Sequence, residues 1–296
     1  MDLSDLQLFC DLVETRSFTR TAERRFVSQS AVSQRLRALE REVGQTLLER
    51  SRGRSGVVPT EAGAALYEGA RSLLRQAGEL ETRVRGLGDV VAGTVRVATV
   101  YSVGLHALPG RLKAFLAAHP GVNVHLEYSQ TRRIYQDVLS GAVDVGIVAC
   151  PVPRTGIEIV PFGEDEMVLV TAPERPLARL DSIPLSRLAG EPLIAFADEI
   201  PTRRLTDERL RAAGVHPRIV AAFDNIETIK NMVEIGFGCA LLPESTVQRE
   251  VREGTLVQLR LAPGQSFRRP AGILLGRSGH RRGAVRAFVE ATRAAA

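Results

Sequence analysis

Leu3, Leu6, Phe9, Leu12 and Val13 recur at three- and four-residue spacing, which predicts an amphipathic first helix. Phe18, Ala22 and Phe26 continue the period and are expected to share a small core with Val32, Leu36 and Leu39 of a third helix. Thr19 and Ser28 read as the N-caps of the second and third helices, and Gly44 ends the third. Leu47-Leu48 and Val57-Val58 flank a basic, glycine-bearing turn, so residues 47–59 predict two short strands joined as a wing. A long helix is expected from Thr60-Glu61. In it Leu66, Leu73, Leu80 and Leu87 fall seven apart, with Ala70, Ala77 and Val84 four residues after the first three. That is an a/d seam over about three heptads, the pattern of a coiled coil, and it predicts packing against a second copy of the chain, the alternative being a core helix packed within one chain. Gly86, Gly88 and Gly93 then mark a hinge.

From Val95 the pattern changes to alternating strands and helices. Strands are predicted over 95–99, 122–128, 143–148, 167–171, 193–196, 219–223, 239–242 and 273–275. Helices are predicted over 105–118, 134–139, 203–213, 226–235, 244–251 and 284–292. Such alternation implies an α/β fold with mostly parallel strands, long enough for two subdomains. The chain is expected to cross near Phe162 and return near Phe267. The predicted organisation is therefore a helical, winged domain over 1–59, a linker helix over 60–89, and an α/β domain over 90–296. The last divides into subdomain I (about 93–161 plus 267–296) and subdomain II (about 162–266).

At 296 residues, more than one domain is expected, and 44% hydrophobic with 25% charged residues is a globular composition. The net charge of +5 fits a polyanionic partner only weakly. Lys113 and Lys230 are the only lysines, so nearly all the basic charge is arginine. Location says more than the total. Arg20, Arg24, Arg25, Arg35, Arg37, Arg41, Arg50, Arg52 and Arg54 face only Glu23, Glu40, Glu42 and Glu49 in the same stretch. The amino terminus lacks a basic and apolar leader, no apolar run is long enough to span a bilayer, and Cys10, Cys150 and Cys239 are scattered. A cytoplasmic protein without a membrane partner is expected.

Residues 17–40 thus form a short helix, a tight break and a second helix whose exposed face is Ser, Gln and Arg. Hydroxyls and amides can hydrogen-bond base edges, and arginines take guanine or phosphate. Thr19 near a helix N-terminus can donate to phosphate, and Arg50, Arg52 and Arg54 on the wing suit the minor groove or the backbone. Arg24, Arg25 and Arg41 read as solvated or salt-bridged positions.

The chain resembles the LysR-type transcriptional regulators over essentially its whole length. The resemblance rests on Ala22-Glu23, Val27-Ser28-Gln29-Ser30-Ala31-Val32-Ser33-Gln34, Leu48-Glu49-Arg50 and Pro59-Thr60-Glu61-Ala62-Gly63. Downstream it rests on Ala107-Leu108-Pro109, Leu139-Ser140-Gly141-Ala142-Val143-Asp144-Val145-Gly146-Ile147 and Gly236-Phe237-Gly238-Cys239-Ala240-Leu241-Leu242-Pro243. Arg20-Thr21 departs from the small residues usual there. The resemblance implies a winged helix-turn-helix, a linker-helix dimer contact, and a two-subdomain effector domain shaped like a periplasmic binding protein. It implies homodimers, often paired into homotetramers, that bind and bend double-stranded promoter DNA, respond to a small co-inducer and work with RNA polymerase. On matching positions it places base-edge contacts at Gln29, Ser30 and Ser33, beside Ser28, with Gln34, Arg35 and Arg37 close behind, and an effector contact at Ser102.

Ligands of such folds collect where strands end and helices begin. Tyr101 and Ser102 follow the first strand of the α/β region, Ser129, Gln130 and Thr131 the second, and Ala149 the third. Thr202 and Arg203 open a helix after 193–196, and Phe223 ends a later strand. Hydroxyls and a helix N-terminus at Thr202 suit a carboxylate or oxoanion. Arg132 and Arg203 could supply charge, although each also reads as a surface residue, and Phe115, Phe196 and Phe223 read as core.

His106, His119, His125, His216 and His280 show no metal spacing, and no phosphate loop, nucleophile elbow or paired-acid motif is present, so neither a cofactor nor an enzyme is expected. Cys150, near a strand end, is a candidate oxidant sensor or a packing residue. The competing reading is an α/β solute-binding or enzymatic protein whose N-terminal helices serve only dimerisation.

Overall fold

The structure, a computed structural model, describes residues 1–50, 56–85, 91–276 and 283–293. The chain divides into two compact units, Met1–Val90 with Ser140–Ala142, and Val91–Leu139 with Val143–Ala296.

The first unit runs α1 (Leu3–Thr15), α2 (Phe18–Arg25), α3 (Gln29–Val43), β1 (Leu48–Arg50), β2 (Val57–Pro59) and α4 (Glu61–Arg85). Leu8, Phe9, Leu12, Ala22, Val32, Leu36, Leu39 and Leu47 bury one small core, and β1 and β2 pair antiparallel as the wing. Asp2 caps α1 and Ser28 caps α3, each accepting from the backbone N–H three residues on, while Gly44 closes α3 in the left-handed region at φ 72°. Two expectations change here. The cap of α2 is Ser17, whose hydroxyl accepts from Arg20 N, and Thr19 lies exposed inside the helix. Phe26 is outside the core. It terminates α2 at φ 54°, where the left-handed backbone turns its ring away from the helices and leaves it 96% exposed. An L side chain is strained at this φ, and asparagine tolerates it better. Phe26→Asn is therefore expected to raise unfolding stability by about 0.5–1 kcal/mol, read from the denaturant midpoint at unchanged m-value.

The start of α4 is held by Thr60, whose hydroxyl accepts from Gly63 N and donates to the Thr46 carbonyl. Gly63 is required by close approach, since a Cβ there would lie 1.9 Å from the Leu47 carbonyl oxygen. Ala70 is buried against Leu6 and Cys10 of α1, with Leu66 and Leu74 alongside. Further along the seam, Leu73 and Leu80 are 47% and 60% exposed. The Val84 side chain, Leu87 and the glycines Gly86 and Gly88 lie outside the described residues.

The second unit contains β3 (Gly93–Thr99), α5 (Tyr101–Gly104), α6 (Pro109–Ala118), β4 (Val122–Tyr128), α7 (Thr131–Ser140), β5 (Val145–Ala149) and β6 (Ile157–Thr171). It continues with β7 (Ser182–Ile183), β8 (Pro192–Phe196), α8 (Pro201–Ala212), β9 (Arg218–Phe223), α9 (Ile226–Glu234), β10 (Cys239–Pro243), α10 (Gln248–Glu253), β11 (Val257–Leu261), β12 (Arg268–Gly276) and α11 (Gly283–Thr292). One curled sheet runs β4-β3-β5-β12-β6-β10-β8-β9, with β11 branching from β6 and β7 pairing with β11. The sheet is mixed rather than mostly parallel. β12 runs antiparallel to β5 and β6, and β6 antiparallel to β10 and β11, whereas β3-β4, β3-β5, β8-β9 and β8-β10 are parallel.

Both faces of the sheet are covered, which is why these strands read as unbroken apolar runs. Val95, Val97, Val145 and Ile147 meet Phe115 and Phe288 on one face of the first half, while Ala98 and Val148 meet Ile134, Tyr135 and Val138 on the other. In the second half Met167, Leu169 and Leu241 face one way, and Val168, Val170 and Leu242 the other. The strand β6 spans both halves. Its residues 157–166 pair with β12, and its residues 167–171 pair with β10, with part of that stretch also pairing with β11. The helix expected over 105–118 is shorter, because α6 begins only at Pro109, whose fixed φ suits a first helical position, and the short α5 ends before Leu105. The helix expected over 244–251 is likewise a 3₁₀ turn, Glu244–Thr246, followed by α10.

Candidate functional site

On α3 the residues Ser28, Gln29, Ser30 and Gln34 are exposed, as is Arg37, and Ser33 is half-buried on the same helix. Ser28 and Ser30 share a hydroxyl contact of 2.9 Å, so Ser28 is occupied with capping and with its neighbour. Arg35 has a different role from the one expected. Its guanidinium is drawn to Asp5 at 2.6 Å and to the Ser4 hydroxyl at 2.7 Å, tying α3 to the start of α1 instead of standing free on the reading face. Arg24 pairs with Glu14 and Asp11, and Arg25 with Asp11. Arg50 ends β1 with its side chain outside the described residues, as are Arg52 and Arg54 entirely. The first unit therefore presents hydroxyl, amide and arginine groups on one helix, with the apolar side of that helix buried.

The second unit holds a cavity of about 320 Å³ between the two halves of the sheet. From the first half, Val100, Tyr101, Ser102, Tyr128, Ser129, Gln130, Thr131 and Ala149 line it; from the second, Phe196, Ile200, Pro201, Thr202, Asp224 and Ile226. These are strand ends and helix starts, so the topology itself gathers residues more than a hundred apart in sequence. Tyr101 and Tyr128 stack with centroids 5.0 Å apart and planes 7° apart. Gly104 makes room for that stack, since a Cβ there would lie 2.7 Å from the Tyr128 ring.

Arg203 and Phe223, both expected at this site, are absent from the lining. Arg203 turns to Asp207 at 2.9 Å, to Asp198 at 2.8 Å and to the Phe196 carbonyl, all of which satisfy it within its own half. Phe223 packs against the core beneath α9. Phe196 is both core and wall, being buried and lining the cavity.

The charge beside the cavity comes from Arg269 on β12, a residue the sequence did not single out. It is 2% exposed and donates from Nη1 to Ser102 Oγ at 3.0 Å, and its Nε has no partner. Among the described residues no carboxylate closes a salt bridge with it, and the nearby Asp165 accepts instead from Ser245 N and the Ser245 hydroxyl. Burial pulls the guanidinium below its ordinary pKa, with Asp165 and Cys150 acting in the opposite sense. A buried arginine remains protonated in proteins, so this is a buried cation in the field of Asp165 but in no salt bridge with it.

A second polar chain crosses between the halves. His106 Nε2 lies 2.8 Å from Glu227 Oε1, Glu227 Oε2 lies 2.9 Å from Lys230, and Lys230 lies 2.9 Å from Glu250. Lys230 also donates to the Thr246 carbonyl at 3.0 Å, which anchors α9, whose first residue lines the cavity.

The three thiols are free. Burial pushes Cys10 up to about 11 and Cys239 up to about 12, and it also raises Cys150, against a smaller opposite pull from Arg269. No helix among the described residues is long and apolar enough to cross a membrane.

Comparison with known proteins gives this architecture its place. Residues 3–64 match the model of the bacterial regulatory helix-turn-helix protein, lysR family, and residues 88–296 match the LysR substrate binding domain. A hydrogen peroxide-inducible genes activator of Dickeya chrysanthemi is 31% identical over 255 residues, covering 86% of this chain and 83% of that protein. A probable RuBisCO transcriptional regulator of Cyanidioschyzon merolae is 28% identical, covering 84% of each. Among solved structures, full-length OxyR from Pseudomonas aeruginosa superimposes with a TM-score of 0.76 at 22% identity, over 99% of this chain and 94% of that one. Full-length CbnR in complex with its target DNA superimposes with a TM-score of 0.78 at 23% identity, over 99% of each. The protein is a DNA-binding transcriptional regulator with an effector-binding domain and not an enzyme. With two family models together spanning nearly its whole length, the chain belongs to the LysR family.

Proposed function

We propose that this regulator reads promoter DNA with the first turns of α3, dimerises along α4, and is switched by a small anionic effector held in the cavity of the second unit. The observation that carries the effector reading is the cavity itself, where hydroxyl side chains line the wall and one of them, Ser102, accepts from the buried Arg269, whose Nε has no partner. The cavity is lined from both halves of the sheet, so a bound ligand stabilises one arrangement of the halves over others, and a population shift follows. Paired dimers would transmit that shift to promoter half-sites and to the DNA bend, with homotetramers, RNA polymerase and a cytoplasmic location completing the scheme. The organisation into a winged reader over 1–59, a linker over 60–89 and two subdomains over 90–296 belongs to the same proposal.

Peroxide induction, the property named for the Dickeya relative, is not carried over. Thiolate is the reactive form of cysteine, and burial works against it at all three thiols.

Base reading falls to Gln29, Ser30 and Ser33, with Gln34 and Arg37 beside them, and phosphate contact to Thr19 and the wing arginines. Gln29→Ala is expected to relax preference at one base position by about 1–3 kcal/mol while leaving non-specific affinity and its salt slope unchanged. Titrations of specific and scrambled promoter duplexes at several salt concentrations measure both quantities. Equal losses on every duplex would remove Gln29 from base reading, and absence of any site preference in the wild type would overturn the reader assignment.

A further inference from the structure

Residues 26–30, the break before α3 and its first turn, are exposed without interruption, and they divide by chemistry. Ser28, Gln29 and Ser30 offer hydroxyl and amide groups, whereas Phe26 and Val27 are apolar and 96% and 41% exposed. Phe26 serves the fold through its backbone alone. Its N–H donates to the Glu23 carbonyl and the Val27 N–H to the Ala22 carbonyl, which closes α2. Helix ends of this left-handed kind favour glycine, because a Cβ is strained there, as it is at φ 54°. The phenyl ring, almost wholly in water, buries no appreciable apolar area within the chain. Neither backbone conformation nor core packing accounts for an aromatic side chain at this position.

What adjoins it is the reading face of a DNA-binding regulator, since Phe26 stands directly before Ser28, the cap of α3. In the major groove an A·T pair offers hydrogen-bonding atoms and, beside the thymine O4, a C5-methyl group. Amide and hydroxyl groups read the first and leave the methyl unread, while phenylalanine is among the side chains that contact it. We propose that Phe26 is a specificity-determining residue whose ring rests on the C5-methyl of a thymine next to the bases read by Gln29 and Ser30. The proposal rests on α3 being the reader of promoter DNA. On this reading the strain at φ 54° is kept because the ring gains its apolar contact only in the complex.

The test uses the full-length protein and a duplex that it selects from a randomised pool. Each thymine of that duplex is replaced in turn by deoxyuridine, which removes only the methyl group. The wild type is expected to lose about fourfold in affinity at one thymine per half-site, the factor that one buried methyl supplies. Phe26→Gly keeps the left-handed turn without the ring and should bind the parent duplex at least about fourfold more weakly. At that same thymine it should lose nothing further with deoxyuridine. Phe26→Leu retains an apolar side chain and should retain a methyl preference. A methyl effect that persists in Phe26→Gly would assign the methyl to another side chain and overturn the proposal. Equal losses of Phe26→Gly on selected and scrambled duplexes would put the ring on the sugar-phosphate backbone, with the same consequence. Unchanged DNA binding with altered sedimentation would make Phe26 a protein contact and also overturn it. If Gln29→Ala loses base preference while Phe26→Gly keeps the wild-type pattern, α3 stands as the reader and Phe26 alone is removed. A wild type that selects no sequence from the pool would overturn the reader itself.

Discussion

Replacing Lys230 with methionine is expected to destabilise the second unit by about 3–5 kcal/mol, lowering its thermal midpoint by roughly 10 °C or more. Lys230 and Glu250 are 2% and 3% exposed and 2.9 Å apart. Removing the ammonium leaves Glu250 buried with one oxygen that already lacks a partner, a backbone hydrogen bond, and the exposed Arg249 at 3.5 Å. The cost lies in the stranded carboxylate, not in the pair, so Lys230→Met/Glu250→Leu should recover most of the stability. A double variant as unstable as the single one would show that the ion pair itself carries the stability. The same network has a pH signature. Burial alone raises Glu250, but the hydrogen bond from Lys230, a backbone hydrogen bond and the charges of Lys230 and Arg249 outweigh it, and the carboxyl ends below its ordinary 4.5. A carboxyl lowered on folding contributes stability above its unfolded pKa, and that contribution is lost as pH falls through the folded value. The acid limb of the wild type below about pH 4.5 should therefore be steeper than that of the double variant, as acid titrations of the unfolding midpoint would measure. Because Glu227 links Lys230 to His106 of the other half of the sheet, the single variant should also loosen the two halves.

Leu73→Glu combined with Leu80→Glu is expected to turn the protein monomeric at micromolar concentration and to weaken promoter binding by about 10²–10⁴, the factor that simultaneous engagement of two half-sites supplies. Both leucines are on the outer face of α4 and about half or more exposed in the single chain, so the unfolding midpoint of the isolated first unit's core should barely move. Ala70 and Leu66, in the same heptad register, are packed on α1 and would make poor test positions, since changing them perturbs the reader itself. Sedimentation velocity checks the assembly state and a promoter titration checks the affinity. A variant that stays dimeric would move the dimer contact away from α4.

Much of this protein was legible before any coordinates. The helix-break-helix of residues 17–40, the caps at Ser28 and Gly44, and the long helix after Thr60 all follow from local rules, because each depends on side chains within a few residues of the backbone they organise. The strands of the second unit were visible where both faces are buried, as in 167–171 and 239–242, and invisible over 157–166. There Pro161, Gly163 and three consecutive acidic residues give no strand signal, and pairing with β12 alone holds the chain extended. The cavity's hydroxyl residues could be proposed from the rule about strand ends, whereas Arg269 could not, being one arginine among many at the edge of a stretch read as a connection.

What the sequence by itself determined is the local grammar: a helix-break-helix, a long helix with heptad-spaced leucines and an alternating α/β region. Only the tertiary structure decided that Phe26 stands in solvent, that Arg35 is tied down to α1, and that the arginine bonded to the pocket's Ser102 is Arg269, while Arg203 is paired elsewhere. The physical reason is common to all three. Burial and charge pairing depend on what the folded chain brings close, and Arg269 meets Ser102 across 167 residues of sequence.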